Sequence, residues 1–192
     1  MTIDNQENQV TKHPSLGEGL GGPKQHKLDE RYLRMARIWA ENSYCQRRQV
    51  GALVVKDKMI ISDGYNGTPT GFENICEDEN NVSKPYVLHA EANAITKLAR
   101  SSNNSDGATI YITASPCIEC AKLIIQAGVK RVVYGEKYRL SDGIDLLKRA
   151  GIEVTFMPLV APPTDPEGAS LQGQSDNKNN VAPSGAEKGA NS

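Results

Sequence analysis

Three side chains in this sequence have the types and spacing of a zinc site that keeps one coordination position free. His89 is followed two residues later by Glu91, and Cys117 and Cys120 follow in the segment Pro-Cys-Ile-Glu-Cys at 116–120. One imidazole and two thiolates leave the fourth position of a tetrahedral zinc ion open, as in catalytic zinc sites. A zinc ion with an open position lowers the pKa of a bound water to roughly 7, and a neighbouring carboxylate can carry the proton. We therefore predict a hydrolytic site with His89, Cys117 and Cys120 as zinc ligands and Glu91 as proton carrier.

Both parts of this predicted zinc site stand at the start of a predicted helix. Apolar spacing predicts one helix over residues 88–100 and another over 117–127, which Gly128 ends as a left-handed stop. Cys117 and Cys120 are three residues apart, so their sulfur atoms lie on one side of the first turn. The partial positive charge at a helix N-terminus favours the thiolate that zinc needs. The helix starts therefore suit the predicted chemistry.

Helical and strand patterns alternate through the rest of the chain. Helices are predicted at residues 28–43, 88–100, 117–127 and 141–150. Strands are predicted at residues 50–55, 59–61, 108–113, 129–134 and 152–156, the first two forming a hairpin that ends in a loop at 64–69. Strand–helix–strand alternation in the second half implies parallel pairing, with helices on both faces of one sheet. We predict an α/β fold with a five-stranded mixed sheet.

Helical spacing also predicts which side of two helices faces the core. On the first helix the inner residues are predicted to be Tyr32, Met35, Ala36 and Trp39. On the 88–100 helix they are predicted to be Ala92, Ile95 and Ala99. Trp39 is most simply a core residue because its ring carries so much apolar area.

The composition changes at both ends of the chain. Residues 1–26 and 159–192 are rich in polar residues, glycine or proline and have hardly any periodic apolar pattern. Such segments cannot bury enough apolar area to offset the entropy of ordering them. We predict a disordered N-terminal tail at 1–26, one folded domain at 27–158 and a disordered C-terminal tail at 159–192.

The bulk composition excludes several classes of protein. The 192 residues carry 22 basic and 23 acidic side chains, a formal net charge of −1, so no basic surface for nucleic acid is indicated. The sequence shows no apolar stretch typical of a secretory leader and no run of membrane-spanning length. Four cysteines without a leader indicate a reducing compartment, where a C-x-x-C pair binds metal more often than it forms a disulfide. We predict a cytoplasmic protein with no nucleic-acid or membrane partner.

Four stretches of the predicted domain carry a family resemblance. They read RRQVGA at 47–52, GYNGTPTG at 64–71, HAEANAI at 89–95 and CAKLIIQAG at 120–128. The chain thereby resembles the cytidine/deoxycytidylate deaminase superfamily, and among its branches the deoxycytidylate (dCMP) deaminases. H-x-E with P-C-x-x-C marks the zinc deaminases in general, whereas the Gly-Tyr-Asn-Gly-x-Pro-x-Gly loop selects the nucleotide branch.

The resemblance implies a three-layer α/β/α fold, one catalytic zinc ion per subunit, and hydrolysis of dCMP to dUMP and ammonia. This reaction would supply dUMP for thymidylate synthesis. The resemblance further implies a homo-oligomer, commonly a hexamer, often activated by dCTP and inhibited by dTTP. A magnesium ion would accompany such a triphosphate effector.

Several residues match family positions that contact the substrate. Asn66 matches the loop asparagine that contacts the deoxyribose, although Asn-Gly is also a common tight turn. Tyr138 and Arg139 lie where family members place groups near the nucleotide phosphate, whose geometry a guanidinium matches. A solvated loop charge is an equal alternative for Arg139. Arg47 and Arg48 are left open between phosphate contact and solvent.

Two further cysteines fall near a second zinc site of some phage members of the family. Cys45 and Cys76 fall near the cysteines of that site, but the spare histidines His13 and His26 lie in the predicted tail. Two thiols do not complete a tetrahedral site. We predict no second zinc ion and interpret these cysteines as buried or free thiols.

Two other readings of the zinc motif stay open. The first is another deaminase of the same fold, acting on free cytidine, on adenosine in tRNA or on a pyrimidine intermediate of riboflavin synthesis. The second is a zinc-stabilised interaction module without catalysis. The carboxylate of Glu91 argues against the second reading, because a structural zinc site has no use for one beside an open position.

Overall fold

The computed structural model describes residues 22–138 and 140–159. Its helices are α1 (Pro23–Ala40), α2 (Ala90–Leu98), α3 (Ile118–Gln126) and α4 (Asp142–Arg149). Its strands are β1 (Gly51–Lys56), β2 (Met59–Tyr65), β3 (Thr109–Ala114), β4 (Arg131–Glu136) and β5 (Glu153–Phe156). None of the helices in this part of the chain combines the length and apolar character needed to span a bilayer.

The five strands form one mixed sheet, as predicted, and their order is β2-β1-β3-β4-β5. β1 pairs antiparallel with both β2 and β3, and β3, β4 and β5 are parallel. The β1–β2 hairpin turns at Asp57 and Lys58, which both have positive φ, the geometry that suits the twist of a hairpin. Parallel order in the second half follows from its strand–helix–strand connections.

Helices cover both faces of the sheet and give three layers. On one face α1 packs against β1, β3 and β4 around Leu33, Ala36, Leu53 and Tyr111. The other face carries α2, α3 and α4, whose buried core residues are Ala90, Ala94, Leu98, Ala121, Ile124 and Leu147. The predicted α/β fold with helices on both faces is confirmed.

The inner face of α1 differs from the prediction. Its buried apolar residues are Leu33, Ala36 and Ala40, whereas Met35 is 44% and Trp39 is 39% exposed. The helix approaches β1 so closely that a Cβ on Gly51 would lie 2.0 Å from the Ala36 carbonyl oxygen. Small residues are therefore needed at this contact. The indole N–H of Trp39 instead donates to Asp63 Oδ1 at 2.7 Å, so its assignment to the core is wrong.

Two other local expectations need correction. On α2 the buried residues include Ala90, Ala94 and Leu98, while Ala99 is exposed and Ala92 only half-buried. The buried face is thus rotated from the predicted one, because Ala90 and Ala94 face β2 where Gly64 allows a close approach. Ile95 is partly buried against the core. The first helix also begins earlier than predicted, because α1 starts at Pro23, five residues before the predicted helix start at residue 28. Proline suits the first helical position since its missing N–H would have no partner there.

A buried ion-pair network joins α1 to the sheet. Asp29 on α1 is 2% exposed and accepts hydrogen bonds from both terminal nitrogens of Arg131 at 2.8 Å. The Tyr111 hydroxyl donates to the same carboxylate at 2.7 Å, and Arg131 Nε donates to Glu153 Oε1 at 2.8 Å. A bidentate arginine–carboxylate pair fixes orientation as well as contributing energy. This network therefore sets how α1 sits on β3 and β4, and it ties β4 to β5.

Candidate active site

The two halves of the predicted zinc site stand at the starts of α2 and α3. His89 and Cys117 are the N-cap residues of these helices, both with extended backbone. Two glycines allow neighbouring segments to approach them. A Cβ on Gly64 of β2 would lie 2.2 Å from the Ala90 carbonyl oxygen, and a Cβ on Gly143 of α4 would lie 2.2 Å from that of Pro116. Close packing of α2 on β2 and of α4 on the α3 start thus positions the ligands.

His89, Cys117 and Cys120 converge with the spacing of zinc ligands. The sulfur atoms of Cys117 and Cys120 lie 3.5 and 3.4 Å from His89 Nδ1, and the three ligand atoms all lie within 4.8 Å of one another. With zinc–sulfur bonds of about 2.3 Å and zinc–nitrogen bonds of about 2.0–2.1 Å, a tetrahedral ion separates sulfur from nitrogen by about 3.5 Å. The geometry and the donor set both fit zinc. Within residues 22–138 and 140–159, no further histidine, cysteine or carboxylate joins this group of three.

The thiols in this cluster are electrostatically unlike ordinary cysteines. Hydrogen bonds from Cys120 and then His89 lower the pKa of Cys117 to about 3. Its hydrogen bond to Cys117, together with burial, raises the pKa of Cys120. The hydrogen bond with Cys117 also raises the pKa of His89. One thiolate is therefore favoured before any metal binds, and a coordinated divalent cation deprotonates the second thiol as well.

Glu91 lies in the first turn of α2, two residues after His89, and is only 4% exposed. Burial raises the pKa of its carboxyl group, an effect opposed by the nearby His89 and by a hydrogen bond with Cys120. Burial disfavours the charged form of a carboxyl group, so the proton affinity of the group rises. The carboxyl group is thus placed beside the ligand cluster and suited to exchanging a proton.

One cavity of about 560 Å³ is lined by His89 and Cys117 of this cluster and by most of the predicted substrate residues. Its lining includes His89, Glu91, Cys117, Asn66, Tyr138, Arg47, Arg48, Glu77, Ser83, Lys84 and Ser115. Asn66 and Tyr138 therefore share a cavity with the ligand cluster. Arg139, the other predicted phosphate group, lies outside the described residues.

The side chain of Asn66 mainly holds the backbone of a neighbouring loop. Its Oδ1 accepts the Val50 N–H at 2.7 Å, and its Nδ2 donates to the Arg48 carbonyl oxygen at 2.8 Å. A carboxamide has two lone pairs and two hydrogens, so each end keeps one capacity for a ligand. The Asn-Gly sequence is thus more than a turn, because its asparagine ties β2 to the segment before β1.

Arg48 lines the cavity. The sequence left its role open between phosphate contact and exposure to solvent. Its side chain forms an ion pair with Glu136 and lies over the Tyr138 ring, with Cζ 5.6 Å from the ring centroid. Ser115 was not identified from the sequence, although it directly precedes the Pro-Cys motif. Its hydroxyl accepts the Tyr138 N–H at 2.7 Å. In the sequence, the pair of arginines before β1 indicated that Arg48 could have a functional role. No periodic pattern indicates one for Ser115.

Cys45 and Cys76 form a disulfide. They are buried, as predicted, but the interpretation as free thiols is wrong. The two segments that carry them form one wall of the cavity, which brings together cysteines separated by 31 positions. The Cys117–Cys120 pair remains unbridged.

Comparison with known proteins agrees with this site. Residues 26–136, more than half of the chain, match the family model for the cytidine and deoxycytidylate deaminase zinc-binding region. ComE operon protein 2 of Bacillus subtilis is 38% identical over 133 residues, covering 67% of this chain and 70% of the relative. Deoxycytidylate deaminase of Enterobacteria phage T4 is 34% identical over 169 residues, covering 66% and 88% respectively.

A solved structure gives the same result. The dCMP deaminase of cyanophage S-TIM5, crystallised with dCMP and dUMP, is 46% identical with a TM-score of 0.67. The match covers 71% of this chain and 99% of the cyanophage chain. The region matched by the family model runs from within α1 to the end of β4 and contains every residue of the ligand cluster. On these grounds the chain belongs to the cytidine and deoxycytidylate deaminase family.

Proposed function

We propose that this protein hydrolyses dCMP to dUMP and ammonia at a zinc site held by His89, Cys117 and Cys120. The observation that carries the proposal is that one cavity is lined by His89 and Cys117 of this cluster, by the buried carboxyl group of Glu91 and by several cationic side chains. The similarity to the cyanophage enzyme, which was crystallised with dCMP and dUMP, supports the choice of substrate.

The proposed reaction requires one water and a carboxyl group that moves protons. A zinc ion bound by the three ligands would acidify a water molecule at its open position. Glu91 takes a proton from the water that attacks the amine-bearing carbon of the cytosine ring. It delivers that proton to the adjacent ring nitrogen, takes a second proton from the hydroxyl group now on the attacked carbon, and passes this proton to the amino group. The C–N bond then breaks as the carbonyl forms, and ammonia leaves. Burial of Glu91 keeps competing water away from this transfer.

The cationic side of the cavity fits a nucleotide better than a free nucleoside. Arg48, Lys84 and Tyr138 line the same cavity as Glu91, and Arg139 follows Tyr138 in the sequence. We assign the 5′-phosphate to Arg48, Tyr138 and Arg139, because guanidinium groups match phosphate geometry. We assign the deoxyribose to Asn66, through the donor and acceptor capacity that its backbone bonds leave over.

Other properties implied by the family stay predictions. They are a homo-oligomer of hexameric order, regulation by dCTP and dTTP, a magnesium ion with such an effector, and a cytoplasmic location. The division into a tail at 1–26, a deaminase domain at 27–158 and a tail at 159–192 also stays a prediction. The match of residues 26–136 to the family model supports the proposed bounds of the deaminase domain.

A substrate panel tests the proposed function. We expect the zinc-loaded protein to deaminate dCMP with a much higher kcat/KM than CMP or deoxycytidine. Arg139→Ala should raise KM for dCMP far more than KM for deoxycytidine. Preference for deoxycytidine, or equal effects of the variant on both substrates, would contradict the phosphate assignment. Activity on adenosine in tRNA or on a riboflavin precursor, with none on dCMP, would favour another deaminase of this fold.

A further inference from the structure

Glu77 is a buried carboxylate on the cavity wall for which the proposed reaction has no use. It is 8% exposed and lines the same cavity as His89 and Cys117. Its Oε1 accepts two consecutive backbone N–H groups, from Gln46 at 3.1 Å and from Arg47 at 3.2 Å. Hydrogen bonds to an ionised acceptor are stronger than those between neutral groups. One oxygen thus fixes the backbone of a segment 30 residues away in sequence.

The segment that Glu77 holds carries two cationic side chains of the cavity. We call residues 45–50 the arginine loop, because Arg47 and Arg48 both line the cavity from it. The disulfide from Cys45 to Cys76 fixes one end of the loop, and the carboxamide of Asn66 fixes the other at Arg48 and Val50. Glu77 binds the loop between these two points.

Further contacts connect the arginine loop, Glu77 and Ser83. Arg47 Nη1 donates to Ser83 Oγ at 3.4 Å, and residues Glu77 and Ser83 form an isolated antiparallel bridge. The carboxylate of Glu77 therefore holds the backbone from which the Arg47 and Arg48 side chains project.

We propose that Glu77 is a positioning residue that sets the affinity for the substrate phosphate by holding the arginine loop in place. The proposal rests on the proposed function, since it assumes a nucleotide substrate. Groups that are held in place before binding lose less conformational freedom when the ligand arrives. The phosphate is remote from the ring carbon that reacts, so loss of this hold raises KM for the nucleotide and leaves kcat unchanged.

Two substitutions distinguish the effect of the length of the Glu77 side chain from the effect of its charge. Glu77→Asp keeps the charge but is one methylene too short to reach both N–H groups. Glu77→Gln loses the charge but keeps an oxygen at the same position. A carboxylate that acted only as a counter-charge to the arginines would give the opposite pattern, because Glu77→Gln would then lower KM for the anionic substrate while Glu77→Asp would be silent.

The experiment compares KM and kcat for dCMP and deoxycytidine in the zinc-loaded wild type, both Glu77 variants and the control Glu79→Ala, which changes an exposed neighbour. We expect Glu77→Asp to raise KM for dCMP about tenfold and Glu77→Gln to raise it less than about threefold, the range for weakened hydrogen bonds to a charged group. KM for deoxycytidine, kcat and the control should stay at wild-type values.

Three results would overturn the proposal. They are a parallel rise of KM for both substrates, a silent Glu77→Asp, and a lowered KM in Glu77→Gln. The parallel rise would show that Glu77 only maintains the cavity wall. Failure of the proposed function itself is recognised separately, because the wild type would then show no preference for dCMP over deoxycytidine.

Discussion

Gly64→Ala tests whether the contact between β2 and α2 positions the catalytic groups. The added Cβ would lie 2.2 Å from the Ala90 carbonyl oxygen and 2.6 Å from the Ala94 nitrogen. Since real Cβ atoms essentially never approach below 3.0 Å, α2 must move away by about 0.8 Å. The backbone atoms of α2 cannot rotate aside as a flexible side chain would. The helix start that carries His89 and Glu91 must therefore move with it.

The shift has two measurable consequences. Overpacking a well-packed contact costs about 1–3 kcal/mol of unfolding free energy. A misplacement of about 1 Å at a reacting group can lower the rate by about 10²-fold. We expect denaturant unfolding of Gly64→Ala to show that loss of stability, and deamination of dCMP, followed by the change in cytosine absorbance, to show a kcat/KM lowered by about that factor.

A neighbouring glycine provides the matched control. A Cβ on Gly67 would meet nothing closer than 3.9 Å, so Gly67→Ala should change stability and activity little. If Gly64→Ala kept wild-type stability and kcat/KM, the close approach of α2 to β2 would not be what places His89 and Glu91. Equal losses in both glycine variants would point to the loop sequence rather than to helix packing.

Three further predictions concern the fold and the cavity. Burial acts to raise the pKa of Asp29, but hydrogen bonds, that from Arg131 foremost, outweigh it and hold the pKa below the ordinary 3.8. The stabilisation from the Asp29 carboxylate is thus present above pH 3.8 and lost as the pH falls below it. Asp29→Asn should lower the free energy of unfolding by about 3–5 kcal/mol at neutral pH and should reduce the loss of that free energy at acid pH. An unchanged loss of stability at acid pH would refute this. The disulfide joins cysteines separated by 31 positions, for which loop entropy gives a stabilisation of about 3.7 kcal/mol. Without reductant, Cys45→Ser should lose most of this free energy of unfolding, and with reductant its stability should match that of the wild type. A difference in stability that persists in reductant would show that Cys45 has another role. Arg48→Ala should raise KM for dCMP about tenfold, as expected for a lost hydrogen bond to a charged group, with deoxycytidine as the insensitive control.

The sequence predicted those parts of the molecule that depend on local pattern. Strand–helix alternation correctly gave the five-stranded mixed sheet, and Gly128 and Gly151 end their helices with φ of 72° and 75°. The positions of His89 and Cys117 at helix starts also followed from local signals. The fold brings the three ligands together, whereas the local sequence already predicts that each of them lies at a helix N-terminus.

What the sequence did not predict depends on contacts between distant segments. Trp39 has helical spacing suitable for the core, yet the close approach of α1 to Gly51 admits only small side chains. The Cys45–Cys76 bond and the two hydrogen bonds of Glu77 join segments about 30 residues apart. No periodicity or motif carries that information, because the pairing is set by the path of the loops around the cavity.

Turnover by zinc-loaded Glu91→Gln tests the central claim most directly. The substitution preserves the size of the buried side chain but removes its ability to take and deliver a proton. We expect the variant to bind one zinc ion per chain and to unfold like the wild type, while kcat for dCMP falls by at least about 10²–10⁴-fold, the usual contribution of general acid–base catalysis. Deamination at the wild-type rate by a zinc-replete Glu91→Gln protein would contradict the assignment of proton transfer to this residue.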